Sequence, residues 1–133
     1  MTAEEKYAYW LELAQYDLES AGAMFTSGRW FYVVFMCQQA VEKLCKGLYT
    51  LYLDDKVPII HNITTVFSRF KHKLPVTASE DTLRFFDTLS AQYITYRYPD
   101  FESTPIRLID KNEAELLLSK TREVFSWLLT LKP

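Results

Sequence analysis

Glycine is scarce in this chain, three in 133 residues, and proline stops at five. So few turn-forming residues argue against a turn-rich all-β protein. Two histidines leave little to hold a metal with, and neither His61 nor His72 stands in a Cys/His/Asp group at ligand spacing. Two cysteines, Cys37 and Cys45, fall on one predicted helix. Their Cα atoms would be about 12 Å apart, too far for a disulfide within that helix, and both read as buried thiols of a reducing cytoplasm. There is no basic excess: the net charge of −2 gives no general electrostatic reason to bind a polyanion, so DNA is not expected as a partner. There is no signal-peptide core in Thr2-Ala3-Glu4-Glu5-Lys6, and the uncharged run from Trp30 to Cys37 is too short to span a bilayer. A cytoplasmic location without a membrane partner is the expectation. Glycine-rich phosphate loops, CxxC pairs and an ordered Ser/His/Asp set are missing as well.

What the chain has is aromatic residues, 16% of the total, and helical periodicity. Trp10, Leu13, Ala14, Leu18, Ala21 and Phe25 recur at helix spacing over about 3 to 26, with Asp17 as a carboxylate close to the apolar side. Thr2-x-x-Glu5 fits an N-terminal capping box, and Ser27-Gly28 a C-terminal stop. A second helix is predicted from about Arg29 to Leu53, and the short link makes the two an antiparallel hairpin. Pro58 breaks the pattern, Asn62 can cap a short helix ending near Lys71, and Thr77 or Ser79 can cap a fourth that stops near Tyr96. Pro99 and Pro105 mark an irregular stretch. Asp110-x-x-Glu113 caps a last helix over about 111 to 131. The reading is a single all-α domain over 1–133: an up-and-down antiparallel bundle of four main helices plus one short helix. The rings of Trp30-Phe31-Tyr32 and Phe85-Phe86 belong to its core or to an interface between chains.

The second helix carries the most information. Gln39, Glu42 or Lys43, Lys46 and Thr50 line one stripe, while Val41, Leu44, Cys45, Leu48, Leu51 and Tyr52 take the other side. Three readings of the stripe stand open. It is a solvated face held by i, i+4 pairs such as Glu42 with Lys46. It is a buried cluster that locks Asp17 and Arg97 against Glu42 and Lys43 and so specifies one packing. Or it is a pocket where Lys43, Lys46 and Arg97 meet a nucleotide phosphate. His61 reads as a local hydrogen-bonding residue before the third helix. Arg97-Tyr98-Pro99-Asp100 reads as a helix stop, or as a place where Arg97 and Tyr98 turn back toward the stripe.

Ala14-x-x-Asp17-Leu18-x-x-Ala21, then Phe35-x-x-Gln38-Gln39-Ala40-x-Glu42-Lys43-x-x-Lys46, a loop with Pro58 and His61, and Tyr93-x-x-x-Arg97-Tyr98-Pro99-Asp100 together resemble the HEPN domain, over essentially the whole chain. The resemblance implies a helical bundle that assembles as a homodimer. It implies partnership with a minimal nucleotidyltransferase, binding of a nucleotide (a purine nucleotide among them), or, in toxin members, cleavage of RNA. The RNA-cutting members carry an arginine followed by a histidine at four to six intervening residues. No arginine stands at that distance before His61 or His72, and Arg97 is followed at those positions by Glu102, Ser103 and Thr104. The acid or base that metal-free RNA cleavage needs is missing from its place. The expectation is therefore a non-catalytic, dimeric HEPN protein with Asp17, Gln39, Glu42, Lys43, Lys46, His61, Arg97 and Tyr98 as its polar cluster or ligand site. A toxin-like ribonuclease using other residues, such as His61 with Arg97, and a purely structural interaction domain are the alternatives.

Overall fold

Four of the five helix starts among the described residues are set by a side-chain cap that the local sequence offers. In the computed structural model, which describes residues 1–54, 56–97 and 109–133, five α-helices occur: α1 (Ala3–Thr26), α2 (Trp30–Leu53), α3 (Ile63–Phe70), α4 (Glu80–Arg97) and α5 (Lys111–Leu129). Thr2 Oγ1 accepts from Glu5 N at 3.1 Å and starts α1. The end of α1 is a full Schellman motif: Arg29 N donates to Met24 O at 2.8 Å and Gly28 N to Phe25 O at 3.1 Å. Gly28 sits at φ 73° there, in the left-handed region where a side chain would be strained. Three residues thus reverse the chain, and α1 and α2 pack as an antiparallel hairpin.

Asp54, at φ 46°, closes α2 without a glycine. Asn62 Oδ1 accepts from Thr65 N at 3.0 Å to start α3, which runs into a short 3-10 turn at Lys71–Lys73. Of the two caps that the sequence offers α4, Ser79 is used: its Oγ accepts from Thr82 N at 3.1 Å. Asp110 Oδ1 accepts from Glu113 N at 2.9 Å and starts α5. α4 extends to Arg97, one residue beyond the stop expected near Tyr96. Tyr98 to Leu108 fall outside the described residues. No strand occurs among the described residues, and none of their helices is long and apolar enough to cross a membrane.

Among the described helices α2 is the axis, because it touches each of the other four. Burial follows from that position. Between Ala40 and Thr50 only Lys43 is not buried. A ring cluster fills one end of the core. Phe67 meets Phe70 and Phe86 edge-on at centroid distances of 5.3 and 5.2 Å, and Tyr52 stacks on Phe70 at 5.9 Å. Ser90 Oγ accepts from Ile63 N at 2.9 Å and donates to Phe86 O at 2.8 Å, which fixes the start of α3 against α4. Of the aromatic triplet that opens α2, Tyr32 stays 52% exposed.

Candidate functional site

The polar stripe of α2 faces the interior, so the solvated-face reading fails for Glu42 and Lys46, which are 4% and 6% exposed. The reason is that the middle of α2 is packed against α1, α3, α4 and α5, and a charge on a covered face must find a partner or destabilise the fold. Glu42 finds three. Its Oε1 accepts from Gln38 Nε2 at 2.9 Å, its Oε2 accepts from Lys46 Nζ at 3.1 Å, and the same Oε2 stands 3.3 Å from Nδ1 of His61. Lys46 also lies over the ring of Trp10, 6.0 Å from its centroid, which ties the group to α1.

Gln38 is the hub of this group, although it stands outside the candidate set drawn from the sequence. It is fully buried, and both ends of its amide are engaged. Nε2 donates to Glu42 and, at 3.2 Å, to the backbone carbonyl of His61, while its Oε1 accepts from Gln39 Nε2 at 2.6 Å. The connector before α3 is therefore pinned to the middle of α2 through a single side chain. The signal is present in the spacing: Gln38, Glu42 and Lys46 form an i, i+4, i+8 ladder, a straight row along a helix. Gln39 is half-buried at the edge of this row.

A second group lies toward α1. Lys43 Nζ donates to Asp17 Oδ2 at 2.6 Å, with the lysine side chain 24% exposed and the carboxylate 13% exposed. This charge pair across the hairpin explains the carboxylate at the apolar edge of α1. The expected share of Arg97 and Tyr98 in the cluster falls outside what is described: Arg97 is the last residue of α4, and neither its side chain nor Tyr98 is among the described positions. The structure thus brings together Glu42, Lys46, His61 and, through Gln38, Gln39; Asp17 and Lys43 form a separate pair.

The arrangement offers a buried carboxylate with both oxygens engaged, and an imidazole whose part-exposed ring leans on it. It offers no thiol chemistry. Burial pushes the Cys37 thiol up to about 11, partly offset by a hydrogen bond with Thr121 and the charge of Arg122, and burial with the nearby Glu42 charge raises Cys45 further. No group of three or more His, Cys, Asp and Glu among the described residues could hold a metal ion.

The family model described as the HEPN domain matches residues 7–131. The chain belongs to the HEPN family. Among solved structures, TT1696 from Thermus thermophilus matches with a TM-score of 0.80 and 26% identity, over 94% of this chain and 97% of that one. ST0689, an archaeal HEPN homologue, matches with a TM-score of 0.75 and 24% identity, over 100% and 99%, and shares the fold. A comparison with curated proteins gives no match. The HEPN string that is most distinctive in the sequence, Gln38 to Lys46, is the row that carries the buried network.

Proposed function

We propose that this chain is a non-catalytic HEPN protein that acts by association, as a homodimer that partners a minimal nucleotidyltransferase or binds a nucleotide. One observation carries the reading: a HEPN match from 7 to 131 in a chain without an arginine at four to six intervening residues ahead of either histidine. The site geometry supports it. The heads of Glu42 and Lys46 are committed to each other, as are those of Asp17 and Lys43, and charges paired in this way hold a shape rather than turn over a substrate. In the nucleotide arm of this proposal, contact falls to the members at the edge of the network. Lys43 and His61 have the more exposed heads, Gln39 is half-buried beside them, and the sequence reading adds Arg97 and Tyr98, which lie outside the described side chains. Lys43 would exchange its bond to Asp17 for one to phosphate, and the ring of Tyr98 would meet the base.

Light scattering with a titration of ATP and GTP followed by thermal shift tests the proposal, since a ligand that binds only the folded state raises the apparent melting temperature. A dimer that copurifies with a small nucleotidyltransferase, or whose melting temperature rises with nucleotide and stops rising in Lys43→Ala, supports it. A monomer that binds neither overturns it. A second reading keeps one specific observation: the carboxylate of Glu42 orients the His61 ring, as a general base requires. Incubation with RNA decides between the two. Cleavage lost in both His61→Ala and Arg97→Ala would replace the association reading, and cleavage that survives both would remove these residues from any such role.

A further inference from the structure

We infer that the cleft at the C-terminal end of α3 is a binding site for a small amphipathic anion, a carboxylate carried on a short apolar body. The cleft is open on one side and has a volume of about 330 Å³. That is the low end of the roughly 300–1,000 Å³ usual for small-molecule sites, and too little for a folded segment. Its base is apolar: Phe67 is buried, and Leu74, Ala78 and Leu83 are half-buried. Its lip is formed by Lys71 and His72, both exposed.

The lip belongs to the strongest concentration of positive charge in the chain, Arg69-Phe70-Lys71-His72-Lys73, in a protein whose net charge is −2. Cations at a helix C-terminus complement its dipole, which accounts for basic residues there but not for a cavity beside them. No described carboxylate pairs with Arg69 or Lys71, while Glu80 faces Arg84 at 3.8 Å and Asp81 is bound to Lys120. An apolar base next to these cations selects a ligand with both features. A neutral apolar molecule would strip water from Lys71 without replacing it, and an inorganic anion would leave the base wet. Lys71 supplies the charge, the His72 ring and the Thr77 hydroxyl supply directed hydrogen bonds, and the apolar floor takes the tail. This site is separate from the network on α2 and does not rest on the function proposed for it.

The test is a backbone-amide NMR titration of the full chain with octanoate, 1-octanol and inorganic phosphate. The expected result is saturable shifts confined to Phe67–Leu83 with octanoate, and weak, non-saturating shifts with the other two. Lys71→Glu should weaken octanoate about fivefold or more, and Arg29→Glu, the same charge change on an exposed residue at the α1–α2 turn, should leave it unchanged. Ala78→Phe, which fills the cleft, should abolish binding, with a melting curve to show that the variant is folded. Equal binding of 1-octanol or of phosphate overturns the inference, as do equal losses in Lys71→Glu and Arg29→Glu. So does the absence of saturable binding. Shifts that appear at Gln38–Lys46 and His61 instead overturn it too, and would favour the α2 network as the ligand site.

Discussion

Two lysine–carboxylate pairs in this bundle share their chemistry and differ in setting. Glu42 and Lys46 sit one helical turn apart in the middle of α2, with side chains 5% and 8% exposed. Asp81 and Lys120 join α4 to α5 at the surface, 63% and 34% exposed. In the first pair each charge has lost its water, so every lone pair must be met by protein, and Gln38, His61 and Trp10 are recruited to do it. In the second, water remains an alternative partner, and the bridge stands without a buried network around it. The inner pair therefore constrains the positions of α1, α2 and the α3 connector, while the outer pair tolerates change.

The largest expected effect comes from breaking the inner pair on one side. Glu42→Ala leaves the Lys46 ammonium buried without its carboxylate and frees one donor of Gln38, and should lower stability by about 3 kcal/mol. Urea denaturation with an unchanged slope measures it. The double variant Glu42→Leu/Lys46→Met sharpens the comparison. It removes both charges while keeping volume, and should recover most of the loss, because a buried pair gains little over apolar packing. A double variant as unstable as Glu42→Ala would show that the pair itself holds the bundle together.

A smaller effect separates the crowded inner region from the looser one by steric means alone. A Cβ on Gly47 would lie 3.1 Å from Trp10 Cβ, an atom fixed to the α1 backbone, so α1 and α2 would have to part. Gly47→Ala should destabilise by about 1 kcal/mol, the overpacking exceeding the gain in helix propensity. On Gly22 the Cβ would meet only the end of the Arg122 side chain at 3.0 Å, which can swing away. Gly22→Ala should therefore stabilise by about 0.5 kcal/mol. Thermal melts of the two variants read the signs. The same sign in both would mean that the close approach at Gly47 relaxes freely.

Much of this fold is legible because helix ends are written in short-range chemistry. Thr2, Gly28, Asn62 and Asp110 each act on backbone groups within four residues, so their roles follow from the local string. The candidate site is legible in membership but not in setting. Glu42 and Lys46 at i, i+4 give the same sequence signal on a solvated face as in a covered one, and only the packing of α1, α3, α4 and α5 around α2 decides which. Gln38 escapes a reading of the stripe because its neighbour Gln39 fits the line drawn through Lys43 and Lys46. Its importance comes from the His61 carbonyl, 23 residues away, which no local pattern reports. Asp17 stands out in sequence from its place among apolar residues, but its Lys43 partner lies 26 residues on, again a matter of the hairpin register.

The smallest expected effect belongs to the outer pair, and it has a defined pH window. The hydrogen bond from Lys120 and its charge hold the Asp81 carboxyl below the usual carboxylate range, and the bond to Asp81 holds the Lys120 ammonium above the usual lysine range. A carboxyl whose value is depressed on folding stabilises above its unfolded value and loses that contribution as pH falls through the folded one. A lysine whose value is raised stabilises below its unfolded value and loses it as pH rises through the folded one. The bridge therefore contributes between roughly pH 4 and pH 10 and fades outside that window. Asp81→Asn should lower the melting temperature only slightly at neutral pH, and the difference from wild type should vanish in acid and in about 1 M salt, where exposed charges are screened. If Asp81→Asn instead costs as much as Glu42→Ala, or its effect resists salt, then the surface bridge is holding α4 against α5 in the way that the buried network holds α2, and exposure would not be what distinguishes the two pairs.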